Sequence, residues 1–65
     1  MKITINGKSK KIGVKTLGEL MKFLKFNPEK VIVSVNGKPV GKKKFPETIL
    51  SEDDKVDVFS FVGGG

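Results

Sequence analysis

Two Asn-Gly dipeptides, Asn6-Gly7 and Asn36-Gly37, most constrain what this chain folds into. Both residues of such a pair accept positive φ, which the type I′ turn of a two-residue hairpin requires. Before the first turn, Met1 to Asn6 alternates, with Ile3 and Ile5 on one face and Lys2, Thr4 and Asn6 on the other. That period is the signature of a half-buried strand. The return strand is predicted over Lys8 to about Val14, with Ile12 and Val14 facing in. The second turn follows Lys30 to Asn36, a run rich in β-branched residues. Val31, Val33 and Val35 share one face of it, Ile32 and Ser34 the other, and Lys38–Val40 is its short extended partner.

Between the hairpins the period changes from two to that of a helix. Thr16 to Glu19 reads as a capping box, in which each side chain bonds the other residue's backbone N–H. Leu17, Leu20, Met21 and Leu24 then fall at i, i+3, i+4 and i+7, a single apolar stripe. Met21 in that stripe is core rather than part of a site. Phe23 and Phe26 flank the stripe and are expected to close the helix end against a sheet. Asn27-Pro28 is expected to stop the helix, because the residue before proline is pushed out of the helical region. Gly18 weakens the first turn with no reason visible in the sequence.

Gly41 to Leu50 is expected to be irregular, with a turn at Phe45-Pro46 and Phe45 and Leu50 as its anchors. Ser51-Glu52-Asp53-Asp54 is a polar turn, and an unbroken strand pattern runs from Lys55 to Val62. Val56 and Val58 face in, so Phe59 and Phe61 fall on the opposite face. A sheet with its only helix on one side has its other face in water. Phe59 and Phe61, with Val62 and with Ile32 as a cross-strand neighbour, therefore predict an exposed apolar docking patch. The whole reads as an α+β fold, a mixed four- to five-stranded sheet with one helix packed on one face.

A chain of 65 residues buries only about 60% of its unfolded surface. A single core of that size supplies roughly 3–5 kcal/mol, which leaves little room for an enclosed pocket. With 37% hydrophobic and 31% charged residues the chain is globular in composition. It has no cysteine and no histidine, which removes disulfides, the usual zinc sites, thiol nucleophiles and imidazole bases. The acidic group Glu52-Asp53-Asp54 has no base, nucleophile or metal partner nearby in sequence, so it reads as a solvated turn. No apolar run approaches membrane-spanning length, and a cytoplasmic location is expected.

Net charge is +6, and all 13 basic residues are lysines. Guanidinium forks do most bidentate work on guanine edges and phosphates, so a chain without arginine is a poor candidate for reading nucleic acid. Lys8, Lys10, Lys11 and Lys15 and the run Lys42-Lys43-Lys44 read as a solubilising surface, with plain polyanion binding as the alternative.

The sequence closes on Phe61-Val62-Gly63-Gly64-Gly65. Three successive glycines cannot pack and lose the most entropy when held in one conformation. The expectation is one domain over residues 1–62 and a flexible glycine tail over 63–65 that delivers a bare carboxylate.

The order of elements, the Asn36-Gly37 turn, the Phe45/Thr48/Leu50 segment, Asp54-Lys55-Val56 and the Phe61–Gly65 ending resemble the ThiS family. These are the sulfur carriers of thiamine biosynthesis, within the ubiquitin-like β-grasp group. The resemblance covers the whole chain, and its most specific part is the Val-Gly-Gly-Gly ending. It implies that Gly65 is the reactive residue. A separate ThiF-like activating enzyme, using ATP that this chain does not itself bind, would adenylate the Gly65 carboxylate. A sulfur donor would then form a thiocarboxylate, and the sulfur would pass to a ThiG-like thiazole synthase. Gly63 and Gly64 would let the tail thread a narrow channel, and the chain would be a co-substrate without an active site of its own. The MoaD carriers of molybdopterin synthesis are typically longer and carry prolines shortly before their diglycine end, which this chain lacks. Carriers that donate sulfur to tRNA, and modifiers that form an amide on a target lysine, share the diglycine end. The residues alone do not separate those from the leading reading.

Overall fold

The computed structural model describes residues 1–60. Five strands form one sheet: β1 (Lys2–Ile5), β2 (Lys8–Lys11), β3 (Val31–Val35), β4 (Lys38–Val40) and β5 (Lys55–Ser60). Their order is β2-β1-β5-β3-β4. β1 and β5 are parallel and the other neighbours antiparallel, so the sheet is mixed and five-stranded. One helix, α1 (Leu17–Leu24), supplies the second layer. The expected boundary at Val62 and the tail 63–65 lie outside the described residues.

Both Asn-Gly turns form with the predicted backbone. Asn6 and Gly7 have φ of 49° and 83°, and Asn36 and Gly37 have 53° and 82°. Each turn sets its hairpin register, Ile5 opposite Lys8 and Val35 opposite Lys38. That register sends Ile3, Ile5, Val31 and Val33 to one face, where they meet Leu17, Leu20 and Met21 of α1 and Val56 and Val58 of β5. Ile12, Phe45 and Leu50 complete the buried cluster, and among the described residues no polar or charged side chain is buried. The two last-named residues are the anchors expected for the 41–50 segment. That segment is more regular than expected, a 3₁₀ helix over Lys42–Glu47. The return strand is shorter than expected, ending at Lys11, though Ile12 still points inward.

The capping box is present. Glu19 N–H donates to Thr16 Oγ1 (3.1 Å), and Thr16 N–H donates to Glu19 Oε1 (3.2 Å). Lys15 N–H donates to the same carboxylate oxygen at 2.8 Å. These bonds, Lys15's first and Thr16's second, lower the Glu19 pKa from its ordinary value, because they stabilise the ionised form.

The helix ends by a different device from the one expected. Lys25 takes the left-handed conformation (φ 63°), and Phe26 N–H reaches back to Met21 C=O at 2.9 Å. This is a Schellman-type closure, and it acts before proline can. Asn27-Pro28 instead opens a 3₁₀ turn, Pro28–Lys30, in which Asn27 Oδ1 accepts from Glu29 N–H at 2.9 Å. The early stop folds Phe26 back against the core but leaves Phe23 off the stripe and 61% exposed. The expectation that Phe23 packs on the sheet is thus overturned.

Gly18, unexplained by the sequence, faces the 3₁₀ helix. A Cβ built there would sit 3.4 Å from both Cα and N of Pro46. Alanine fits at the limit of van der Waals contact, whereas a β-branched residue collides with backbone. Gly18→Val is expected to destabilise by about 1–3 kcal/mol, and Gly18→Ala to be near neutral, both read by chemical denaturation. The capping carboxylate gives a second expectation. Glu19 is depressed in the folded state, so its contribution is present above the unfolded pKa and is lost as pH falls through the folded value. Glu19→Gln should flatten the acid limb of the stability–pH curve below the ordinary glutamate range, measured by thermal melts across pH.

Candidate docking site

The strand that leads toward the glycine-rich end lies in the middle of the sheet, and two turn asparagines hold it. Asn36 N–H donates to Lys55 C=O (2.7 Å), while Asn36 Oδ1 accepts from Lys55 N–H (2.9 Å). Asn36 Nδ2 donates to Asp54 Oδ1 (3.0 Å), whose other oxygen accepts from Ser51 N–H (2.8 Å). Asn6 N–H donates to Val56 C=O (2.9 Å), and Asn6 Oδ1 accepts from Val58 N–H (2.8 Å). Each asparagine therefore serves as turn residue and as strand mimic for β5. Sequence reasoning saw only the turns. The signal available to it was asparagine at both positions, since glycine or aspartate also makes such a turn but neither offers both amide donor and acceptor.

Held this way, β5 presents alternate residues to opposite faces. Val56 and Val58 are buried, and Phe59 is 61% exposed. Across the ladder Phe59 stands directly opposite Ile32, itself 55% exposed. Opposed residues in an antiparallel pair have Cβ atoms about 4.5–5.5 Å apart, so the two side chains form one apolar patch on the face away from α1. The structure thus brings together Ile32 and Phe59 as the sequence predicts. Phe61, Val62, Gly63, Gly64 and Gly65 lie outside the described residues.

The helix side offers a groove lined by Gly18, Lys22, Pro28, Lys42 and Pro46. Its carboxylates are committed, Glu19 to the capping box and Glu29 to an ion pair with Lys42 at 2.7 Å. Among the described residues no group of acidic side chains is placed to hold a metal ion. The lysines Lys8, Lys10 and Lys11 lie exposed on β2, one of the two outer strands of the sheet. There they discourage edge-to-edge pairing with other chains. No described helix is long and apolar enough to cross a membrane.

One helix laid across a five-stranded mixed sheet, with parallel first and last strands at its middle, is the ubiquitin-like β-grasp. The crystal structure of the thiamine biosynthesis protein ThiS from Geobacter metallireducens superimposes with a TM-score of 0.85 at 33% identity, covering 100% of both chains. Its solution structure gives 0.82, covering 88% of that chain. A thiazole synthase of Magnetococcus marinus is 40% identical over 67 aligned positions, which is 100% of this chain but 20% of the synthase. The uncharacterized protein ycf40 of Porphyra purpurea is 33% identical over 46 residues, 71% of this chain and 65% of that protein. The chain therefore spans a fifth of the length of the synthase and just under two thirds of ycf40. The sequence pattern of the ThiS family matches residues 3–65, and the chain belongs to the ThiS family.

The exposure of Phe59 generates a separable expectation. Phe59→Ala should leave the melting temperature within a few degrees of the unaltered chain, because little buried surface is lost. A fall of the size seen for buried phenylalanines, about 3–5 kcal/mol, would place the ring in the core.

Proposed function

We propose that this protein is a sulfur carrier of thiamine biosynthesis that works through the carboxylate of Gly65. What supports this reading is the whole-chain likeness to ThiS in both fold and sequence, together with the Val62-Gly63-Gly64-Gly65 ending. The chemistry requires little of the carrier. A free carboxylate is a poor acyl donor. When its oxygen attacks the α-phosphate of ATP on a ThiF-like partner, pyrophosphate leaves and an acyl-adenylate forms. Positioning and charge neutralisation come from that partner. Sulfide from the donor system then adds to the acyl carbon, the bond from that carbon to the adenylate oxygen breaks and AMP leaves, giving the thiocarboxylate.

Gly63 and Gly64 allow an extended tail to enter a narrow channel, since no Cβ meets its walls. Phe59, Phe61, Val62 and Ile32 form the docking surface that brings the tail to the partner. With no cysteine in the sequence, no internal thiol competes for the activated acyl group. The protein is a co-substrate with no active site and no bound cofactor of its own, and it works in the cytoplasm. The Magnetococcus synthase favours thiazole synthase as acceptor, because one polypeptide there unites that named activity with a segment 40% identical to this chain.

Intact mass spectrometry after incubation with the activating enzyme, ATP and a sulfide source tests the proposal. The expected result is a gain equal to exchanging one oxygen for sulfur, localised to Gly65. Gly64→Val should fold normally and remain unmodified. Modification of that variant at the normal rate would overturn the threading role, and an unmodified parent chain would overturn the carrier reading.

A further inference from the structure

β5 outruns its parallel neighbour. The β1–β5 register consists of Thr4 opposite Lys55 and Ile5 opposite Val56, after which β1 ends in the Asn6-Gly7 turn. β5 continues to Ser60, paired with β3 alone. Its hydrogen bonds fix which way each backbone group points. Lys55 bonds toward the β3 side through Asn36, so by strand alternation Asp57 and Phe59 also point there. Val56 and Val58 bond toward the β1 side through Asn6. The next groups on that side are the Val58 C=O and the Ser60 N–H. No described residue bonds either of them.

Asn6 is the last rung. Its side-chain oxygen takes the Val58 N–H that a longer β1 would take, and above it β5 has a bay on its β1 side, with no strand neighbour there among the described residues. The bay is bounded below by the Asn6-Gly7 turn and on one side by β5, beside the exposed Phe59 and five residues ahead of Gly65. An acceptor and a donor set two residues apart along an open edge are the complement of an extended peptide. Neither an apolar surface nor a point charge satisfies both groups.

We infer that this bay receives an extended strand of the activating enzyme, which pairs with the Val58 C=O and Ser60 N–H and aligns the segment leading to Gly65. The inference rests on the carrier reading above and adds to it a recognition element made of backbone. It also gives Asn6 a positioning role, since its side chain ends the intramolecular ladder at Val58 and leaves the next rung for the partner.

Ser60→Pro tests this with little disturbance. Ser60 stands opposite Val31 in a pair whose backbone groups point away from one another, so proline removes the outward N–H and no ladder bond. Proline is tolerated where a strand's N–H faces solvent. Ser60→Ala, which keeps the N–H, is the control. The readout is the KM for the carrier in ATP-dependent pyrophosphate release by the activating enzyme, with thermal melts of all three proteins. Ser60→Pro is expected to raise KM roughly tenfold or more, the effect of leaving one partner carbonyl unpaired, while Ser60→Ala matches the parent and neither variant loses melting temperature. The Ser60 amide should also gain protection from hydrogen exchange in the complex. Parent-like kinetics for Ser60→Pro would overturn the inference, as would a large drop in its melting temperature, which would mean that the N–H is used inside the fold. Sedimentation showing a dimer of the parent that Ser60→Pro dissociates would assign the bay to a second copy and overturn the partner assignment. A parent chain that supports no pyrophosphate release would overturn the carrier reading itself.

Discussion

The position of β5 between β1 and β3 is the constraint on which the rest of the fold depends. Its first half is held by two ladders, antiparallel to β3 and parallel to β1, and its second half by β3. Placing the last strand next to the first also closes the chain on itself, and that closure is what makes a core of this size compact. The contacts that achieve it are non-local, Asn6 to Val58 and Lys2 to Glu52 among them.

The two asparagines show how few residues carry that arrangement. Each occupies a left-handed turn position and spends its amide on β5. Asn36 draws in Asp54, whose second oxygen fixes Ser51, so the polar turn before β5 is organised from the far hairpin. Glu52, in the same turn, accepts from Lys2 N–H at 2.9 Å. An acidic run that invites a reading as a carboxylate site is thereby a set of backbone acceptors at the start of a strand.

Functionally the fold divides its two faces. One face of the sheet is consumed by α1 and the residues packed around it. On the other, among the described residues, Ile32 and Phe59 oppose each other as exposed apolar side chains. The groove on the helix side has both its carboxylates committed internally, Glu29 to Lys42 and Glu19 to the capping box. The proposed carrier role would use the sheet face and the end of β5 as its partner surfaces, with the chemistry done by the proteins that hold it.

Local rules determined much of this in advance. Asn-Gly requires a hairpin because of the backbone angles it accepts, period-two runs require strands, and one apolar stripe behind a capping box requires one helix. The alternation through Val56, Val58 and Phe59 even decided which side chain stays in water, because a strand's two faces are set by its covalent geometry. What the tertiary structure alone decided depends on distances between residues far apart in sequence. The helix closes through Lys25 rather than at Pro28, which strands Phe23 in solvent. Gly18 is small because Pro46 lies against it. The asparagine amides find β5 only once the two hairpins flank it. Among the described residues the β1-side ladder stops at Val58, because β1 ends at Ile5 while β5 runs on to Ser60. Sequence periodicity records which face a residue takes; it does not record which strand lies alongside, and hydrogen bonds and close approaches are properties of the neighbour.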